Sequence, residues 1–156
     1  MRKESGFTVF ELMVVIGIIV VMASIAVPGF IGWLPNHRLT SAADELLSTL
    51  QLAKMRAVRE NEIVAVTFDF ANESYHAFVD NSGDGIWNGA ERTVKTGQMP
   101  PDIDLQDWDL GALVMFSRRG FPTSDGTNPL SGNVRVSNGS RTRTINLTLA
   151  GSLSIQ

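Results

Sequence analysis

Residues 12–34 carry no charged side chain, a run of 23 positions. At ~1.5 Å per residue this is long enough to cross the ~30 Å hydrocarbon layer of a bilayer. The core helix of a soluble domain seldom runs so far without a polar stripe, so the segment reads as a membrane-spanning helix. Ahead of it lie residues 1–6, which include Arg2, Lys3 and Glu4. Cations before a first span favour a cytoplasmic N-terminus and an exported C-terminal part. A cleavable secretory signal would end at small residues, and Ala23-Ser24-Ile25-Ala26 offers them. That alternative gives no reason for Glu11, the one charge between Phe7 and Leu34.

A carboxylate at a membrane is costly and usually has a partner. If the chain is cut between Gly6 and Phe7, a new amine appears about one helical turn before Glu11. A neighbouring subunit shifted by a similar distance would set its amine beside this carboxylate, neutralising both charges and fixing the register between subunits. Gly6-Phe7-Thr8-Val9-Phe10-Glu11 followed by the apolar run resembles the class III signal of type IV pilins and pseudopilins. In that family a prepilin peptidase cuts after the glycine and the new N-terminus is methylated. The resemblance makes Gly6 the recognition residue, Phe7 the methylated one and Glu11 the assembly acid. Val9-Phe10 stands where the family usually has Leu-Ile, and Pro28-Gly29 falls where many pilin stalks kink.

Beyond the apolar run the periodicity changes. Leu39, Ala42, Ala43, Leu46, Leu47, Leu50, Ala53 and Ala57 recur at spacings of three and four, which predicts an amphipathic helix with a narrow Leu/Ala stripe. Pro28 and Pro35 are candidate kinks between the two helical halves. Together, residues 7–61 would make a stalk of ~80 Å. From residue 63 the period is two: Val64, Val66, Phe68 and Phe70 alternate with Ala65, Thr67 and Asp69. Strands are predicted at 63–70, 75–80, 93–96, 113–117, 133–137, 142–149 and 153–155, with Asn138-Gly139 as a hairpin turn. Residues 99–110 and 120–132 read as loops. The fold class is α+β, a long N-terminal helix on an antiparallel β domain. The expected divisions are a leader at 1–6, a transmembrane and assembly helix at 7–34, an amphipathic helix at 35–61 and a periplasmic β domain at 62–156.

This order of helix and strands, with Phe116-Ser117-Arg118-Arg119-Gly120 and a closing pair around a late glycine, resembles the GspH/FimT minor pseudopilins of type II secretion systems or type IV pili. The resemblance implies a subunit of the bacterial inner membrane placed at or near the tip of a short filament. Its partners would be other pseudopilins or pilins, prepilin peptidase, the inner-membrane assembly platform and membrane lipid.

One loop fits a different pattern. Residues 80–91 match the twelve-position spacing of a calcium loop. Asp80, Ser82, Asp84, Asn88 and Glu91 would offer side-chain oxygens, Ile86 a carbonyl, and Gly85 the sharp turn. Asp, Asn and Gly also build any long hairpin, so a metal-free turn is the plain alternative.

DNA binding is the other added function to weigh. Some FimT-like pilins take up DNA through arginines around the late glycine. Here that stretch is Gly151-Ser152-Leu153-Ser154, without arginine. Arg135, Arg141 and Arg143 on the preceding hairpin, with Arg118 and Arg119, are the candidate phosphate contacts. The net charge of −3 argues against that role. The chain has no cysteine, and therefore no disulfide, thiolate zinc site or thiol nucleophile. His37 and His76 are isolated and no nucleophile or phosphate-cradle motif is present, so no catalysis and no organic cofactor are expected. Asn72, Asn138 and Asn146 open short glycosylation-like triplets of little weight. Two classes of function remain: a filament subunit, and a membrane-anchored binding domain that does not polymerise.

Overall fold

The computed structural model describes residues 7–107 and 109–156. The leader 1–6, with Gly6, and the loop residue Trp108 lie outside the described residues, as do the side chains of 27–32, among them Pro28. The chain divides into two compact units, Met1–Pro35 and Asn36–Gln156. A helix α1, Val9–Glu60, begins in the first and ends in the second.

In the first unit, Val9–Ala26 is long and apolar enough to cross a membrane, with a mean hydropathy of 2.7 and none of it buried. Phe10, Met13, Ile18 and Met22 all stand exposed. Such a face needs lipid or other apolar helices around it.

In the second unit, α1 supplies Leu39, Ala42, Ala43, Leu46, Leu50, Ala53 and Ala57 to the core, all buried as their spacing predicts. Thr49 is buried among them, its hydroxyl bonded to the Glu45 carbonyl (2.9 Å), so the turn satisfies its polarity. The helix stops because Asn61 turns left-handed (φ 55°) and Glu62 N–H returns to the Ala57 carbonyl (3.2 Å). This six-to-one closure is a common way to satisfy the last carbonyls of a helix.

Among the described residues nine strands follow: β1 Ile63–Asp69, β2 Ser74–Asp80, β3 Thr93–Gln98, β4 Asp104–Asp107, β5 Leu113–Phe116, β6 Pro122–Thr123, β7 Gly132–Ser137, β8 Thr142–Leu147 and β9 Leu153–Ile155. They form two antiparallel sheets, in the orders β3-β2-β1-β5-β6 and β4-β7-β8-β9. One core joins the α1 stripe to Val64, Val66, Val114 and Phe116 of the first sheet and to Val134, Val136, Ile145 and Leu147 of the second.

Two expectations fail in the same way. Residues 99–110 and 120–132 were expected as loops, yet they contain β4 and β6. Each segment carries two prolines and only a very short strand, and each strand is held by its neighbour: β4 pairs Leu105 with Val136, and β6 pairs Pro122 with Phe116. The strand expected over 142–149 stops at Leu147, because Thr148 N–H bonds the Ser152 carbonyl (3.0 Å) and opens a tight turn.

Tyr75 lies across Gly97 on the neighbouring strand β3. The ring is buried and its hydroxyl is bonded to Thr49 on α1, which ties the sheet to the helix. A methyl group at position 97 would fall on that ring. Gly97→Ala is therefore expected to lower stability by about 1–3 kcal/mol, seen as a lower urea midpoint at unchanged slope. An unchanged midpoint would show that the ring moves aside at no cost.

Candidate functional site

The first candidate site is the start of α1. Thr8 precedes the first helical residue, and Glu11 is the acid in the first turn. The Thr8 N–H and hydroxyl both donate to Glu11 Oε2 at 3.0 Å, and the Glu11 N–H donates to the Thr8 hydroxyl oxygen at 3.2 Å. This reciprocal pair is a capping box. It holds the Glu11 carboxylate at the mouth of the helix, where free N–H groups favour a negative charge. Among the described residues only Oε2 of this carboxylate accepts a hydrogen bond, which leaves Oε1 available to a further donor. Phe7, next to the cap, is 76% exposed. Reading Glu11 only as an assembly acid missed Thr8, although the signal, a threonine three residues before a glutamate at a helix start, was in the sequence.

The two glycines of the C-terminal pattern meet in space. Gly120 closes a tight turn through its N–H to the Ser117 carbonyl (2.7 Å), and Gly151 closes another to Thr148 (2.8 Å). Both are left-handed, with φ of +80° and +73°. A Cβ on Gly151 would come within 2.6 Å of the Gly120 carbonyl oxygen. Lys54 of α1 donates to the Gly151 carbonyl (2.8 Å), pinning this corner to the helix. The late glycine is thus a packing requirement of the β unit.

Arg135, Arg141 and Arg143 do not form one basic face. In the β7–β8 register Arg135 is opposite Thr144 and Arg143 is opposite Val136. Directly opposed residues share a face, so Arg135 and Arg143 project to opposite faces of the sheet. Arg141 sits in the turn between them, its N–H on Asn138 Oδ1 (2.8 Å). Arg118 and Arg119 lie in the exposed turn between β5 and β6.

The loop 80–91 joins β2 to β3. Asp80 is 3% exposed and Glu91 7% exposed. Asp80 Oδ1 accepts from Gly83 N–H (2.6 Å) and faces the Ser82 hydroxyl (3.1 Å), while Oδ2 accepts from Gly85 N–H (2.8 Å). Glu91 Oε1 accepts from Asn81 N–H (3.1 Å) and lies 3.4 Å from the same Ser82 hydroxyl. Asp84 is exposed and caps Ile86 N–H (2.8 Å). That amide, then the Ser82 hydroxyl, hold the Asp84 carboxyl below the usual carboxylate range. Asn88 is also exposed, its Oδ1 on Ala90 N–H (2.9 Å). The loop thus gathers Asp80, Ser82 and Glu91 and leaves Asp84, Ile86 and Asn88 at its rim. Among the described residues no three acids or histidines already stand close enough to hold a metal ion.

His76 bonds Thr93 Oγ1 (3.1 Å) and meets the edge of Trp87 at 4.8 Å. Burial pushes its imidazole pKa down, which favours the neutral ring.

Comparison with known proteins gives a consistent result. A family model described as type II transport protein GspH matches residues 42–152, and one for the prokaryotic N-terminal methylation motif matches residues 1–27. Two curated relatives, both fimbrial proteins of Pseudomonas aeruginosa, are 32% identical over 65 residues. The match covers 42% of this chain and 42% of each relative, less than half of their length. The fold is similar to that of the type IV minor pilin FimU of P. aeruginosa, with a TM-score of 0.62 at 17% identity over 78% of this chain and 90% of that one. It is also similar to the minor pseudopilin EpsH from the type 2 secretion system of Vibrio cholerae, with a TM-score of 0.57 at 10% identity over 76% of this chain and 96% of that one.

Proposed function

This chain belongs to the GspH family, and on that premise we propose that it joins a type II secretion filament at or near its tip once its leader is removed. Its role is that of a minor pseudopilin or pilin, a structural subunit anchored by an apolar N-terminal helix. The observation that carries the proposal is the pairing of an exposed apolar helix with a carboxylate held at its first turn.

The methylation-motif match and the capped carboxylate together support the following mechanism. Prepilin peptidase cuts between Gly6 and Phe7, and the new amine of Phe7 is methylated. The N-terminus faces the cytoplasm and the β unit the periplasm. The apolar helix slides from lipid into contact with other subunits' helices at little cost, since both surroundings are apolar. Register then comes from the one charge in the segment. Glu11 docks through its available oxygen against the N-terminal amine of a neighbouring subunit, and the inner-membrane platform drives addition. A DNA-uptake role is disfavoured by Arg135 and Arg143 lying on opposite faces.

Intact mass of the chain from its own membranes, followed by mild-detergent pull-down, tests this reading. The expected mass lacks residues 1–6 and carries one added methyl group. An uncut chain, or a cut near Ala26, would remove the filament mechanism. Recovery with secretion pseudopilins and their platform supports the type II assignment. Recovery with a major pilin and pilus-tip proteins would move the subunit to a type IV pilus.

A further inference from the structure

We propose that the β2–β3 loop, residues 80–91, is a calcium site in which Glu91 and Asp80 are the buried anchors and Asp84 the closing ligand. The proposal concerns the β unit alone and does not depend on the filament reading.

The first observation is a buried acid pair without a counter-charge. Asp80 and Glu91 are both more than nine-tenths buried, and neither takes part in an ion pair among the described residues. Arg92, next in the chain, turns away to Glu60 and Glu62 on the helix side. His76 is engaged by the Thr93 hydroxyl and packs against Trp87. Buried charges are ordinarily paired or bound to a metal.

The second observation is an orphaned buried atom. Among the described residues Glu91 Oε2 is shielded from solvent and has no hydrogen-bond partner. Its sister oxygen, Oε1, is already aimed into the loop at Asn81 N–H and the Ser82 hydroxyl. That hydroxyl has a single proton but faces both Asp80 Oδ1 and Glu91 Oε1. It therefore cannot donate to both carboxylates at once. The loop has more acceptors than donors, and a cation is what would balance it.

The ligand chemistry selects the ion. Every candidate ligand is an oxygen, and there is no thiol or imidazole, which favours a hard cation over zinc or copper. The positions at which Asp80, Ser82, Asp84, Ile86, Asn88 and Glu91 fall are those of a calcium loop, with Gly85 left-handed (φ 70°) at the sharp turn. Asp84 must swing from the Ile86 amide to close the site. It is exposed, and the Ser82 hydroxyl is already within its reach. The loop's inner side rests on Leu113, where a Cβ on Gly85 would come within 2.5 Å of the side chain, so binding would brace the outer face of the first sheet.

The test uses the full chain in detergent micelles, with calcium alone, magnesium alone and matched sodium chloride, and with terbium as a luminescent substitute. Trp87 lies in the loop, its Nε1 3.5 Å from the Glu91 carbonyl oxygen, and would sensitise bound terbium. Expected are terbium emission displaced by calcium, a dissociation constant on the order of 10⁻⁴–10⁻³ M, and a calcium-dependent rise in melting temperature of several degrees. Glu91→Gln keeps an oxygen for Asn81 N–H, and Asp84→Asn keeps one for Ile86 N–H. Without calcium, Glu91→Gln should be at least as stable as the parent, because it removes one of two buried charges that lack a counter-charge, and Asp84→Asn should match the parent; both should weaken binding by about tenfold or more. If Glu91→Gln does not fold, Asp84→Asn carries the test. The proposal is overturned by no emission and no stabilisation at about 10 mM calcium, by equal gains in parent and variants, or by equal shifts with sodium chloride.

Discussion

Glu11→Ala is expected to leave the chain inserted and its β unit folded, while recovery with neighbouring subunits falls by about a hundredfold or more. The carboxylate has two roles that can be separated. Within the chain it closes the capping box with Thr8, and loss of such a cap costs ~0.5–2 kcal/mol of local helix stability. In the filament mechanism proposed above it would neutralise a neighbour's amine inside an apolar layer. Removing one partner of a buried ion pair costs ~3–5 kcal/mol, which corresponds to the expected loss of recovery. Thr8→Val isolates the first role, since it removes the hydroxyl but keeps the acid. It should fray the first turn and preserve recovery. Equal losses in the two variants would mean that Glu11 acts only as a cap, and unchanged co-purification of Glu11→Ala would remove charge pairing from the mechanism.

Phe116→Ala should be the most damaging single truncation of the β unit, at about 3–5 kcal/mol. Phe116 is fully buried, sits opposite Val64 on one side and Pro122 on the other, and belongs to the core shared by α1 and both sheets. Its removal leaves a cavity in the core that α1 and both sheets share. Urea unfolding of the solubilised chain, followed by far-UV circular dichroism, measures the loss. Phe121→Ala is the control: the residue is 49% exposed, and its truncation should change stability far less. A Phe116→Ala midpoint equal to that of the control would mean that the helix and sheets repack around the gap.

Much of this was legible from residue order. The apolar run and its single acid gave the membrane segment, and the three-four spacing of Leu39 to Ala57 gave the buried face of α1. Val64, Val66 and Phe68 point into the core as their alternation predicts. What alternation hid is that the opposite face of β1 is also buried. Ala65 packs with Phe78 and Met115 in a second small cluster, partly covered by Ile63 and Leu113. A small residue such as Ala65 gives little pattern of its own, so its burial depends on the strands set beside it.

The capping box shows the reverse case: Thr8 and Glu11 are three residues apart, so their bond was readable and was overlooked. The arginines were not readable in this way. Their residue types are plain, but the faces they occupy follow from the β7–β8 register. The short strands β4 and β6 likewise exist because partners hold them, not because their own residues show a period.

The sequence by itself determined the anchor, the buried stripe of α1, most of the strands and the spacing of oxygens in the 80–91 loop. These depend on helical and extended periods, which act over a few residues and leave a regular mark. Only the tertiary structure decided the sheet order, the meeting of Gly120 with Gly151, and the burial of both Asp80 and Glu91. The pairing of Asp80 with Ile63 and the bond from Val79 N–H to the Arg92 carbonyl (2.9 Å) bring the two ends of that loop together. Burial is a property of what surrounds a residue, and the loop that carries these two acids rests on Leu113 of β5, a neighbour set there by the sheet and not by residue order.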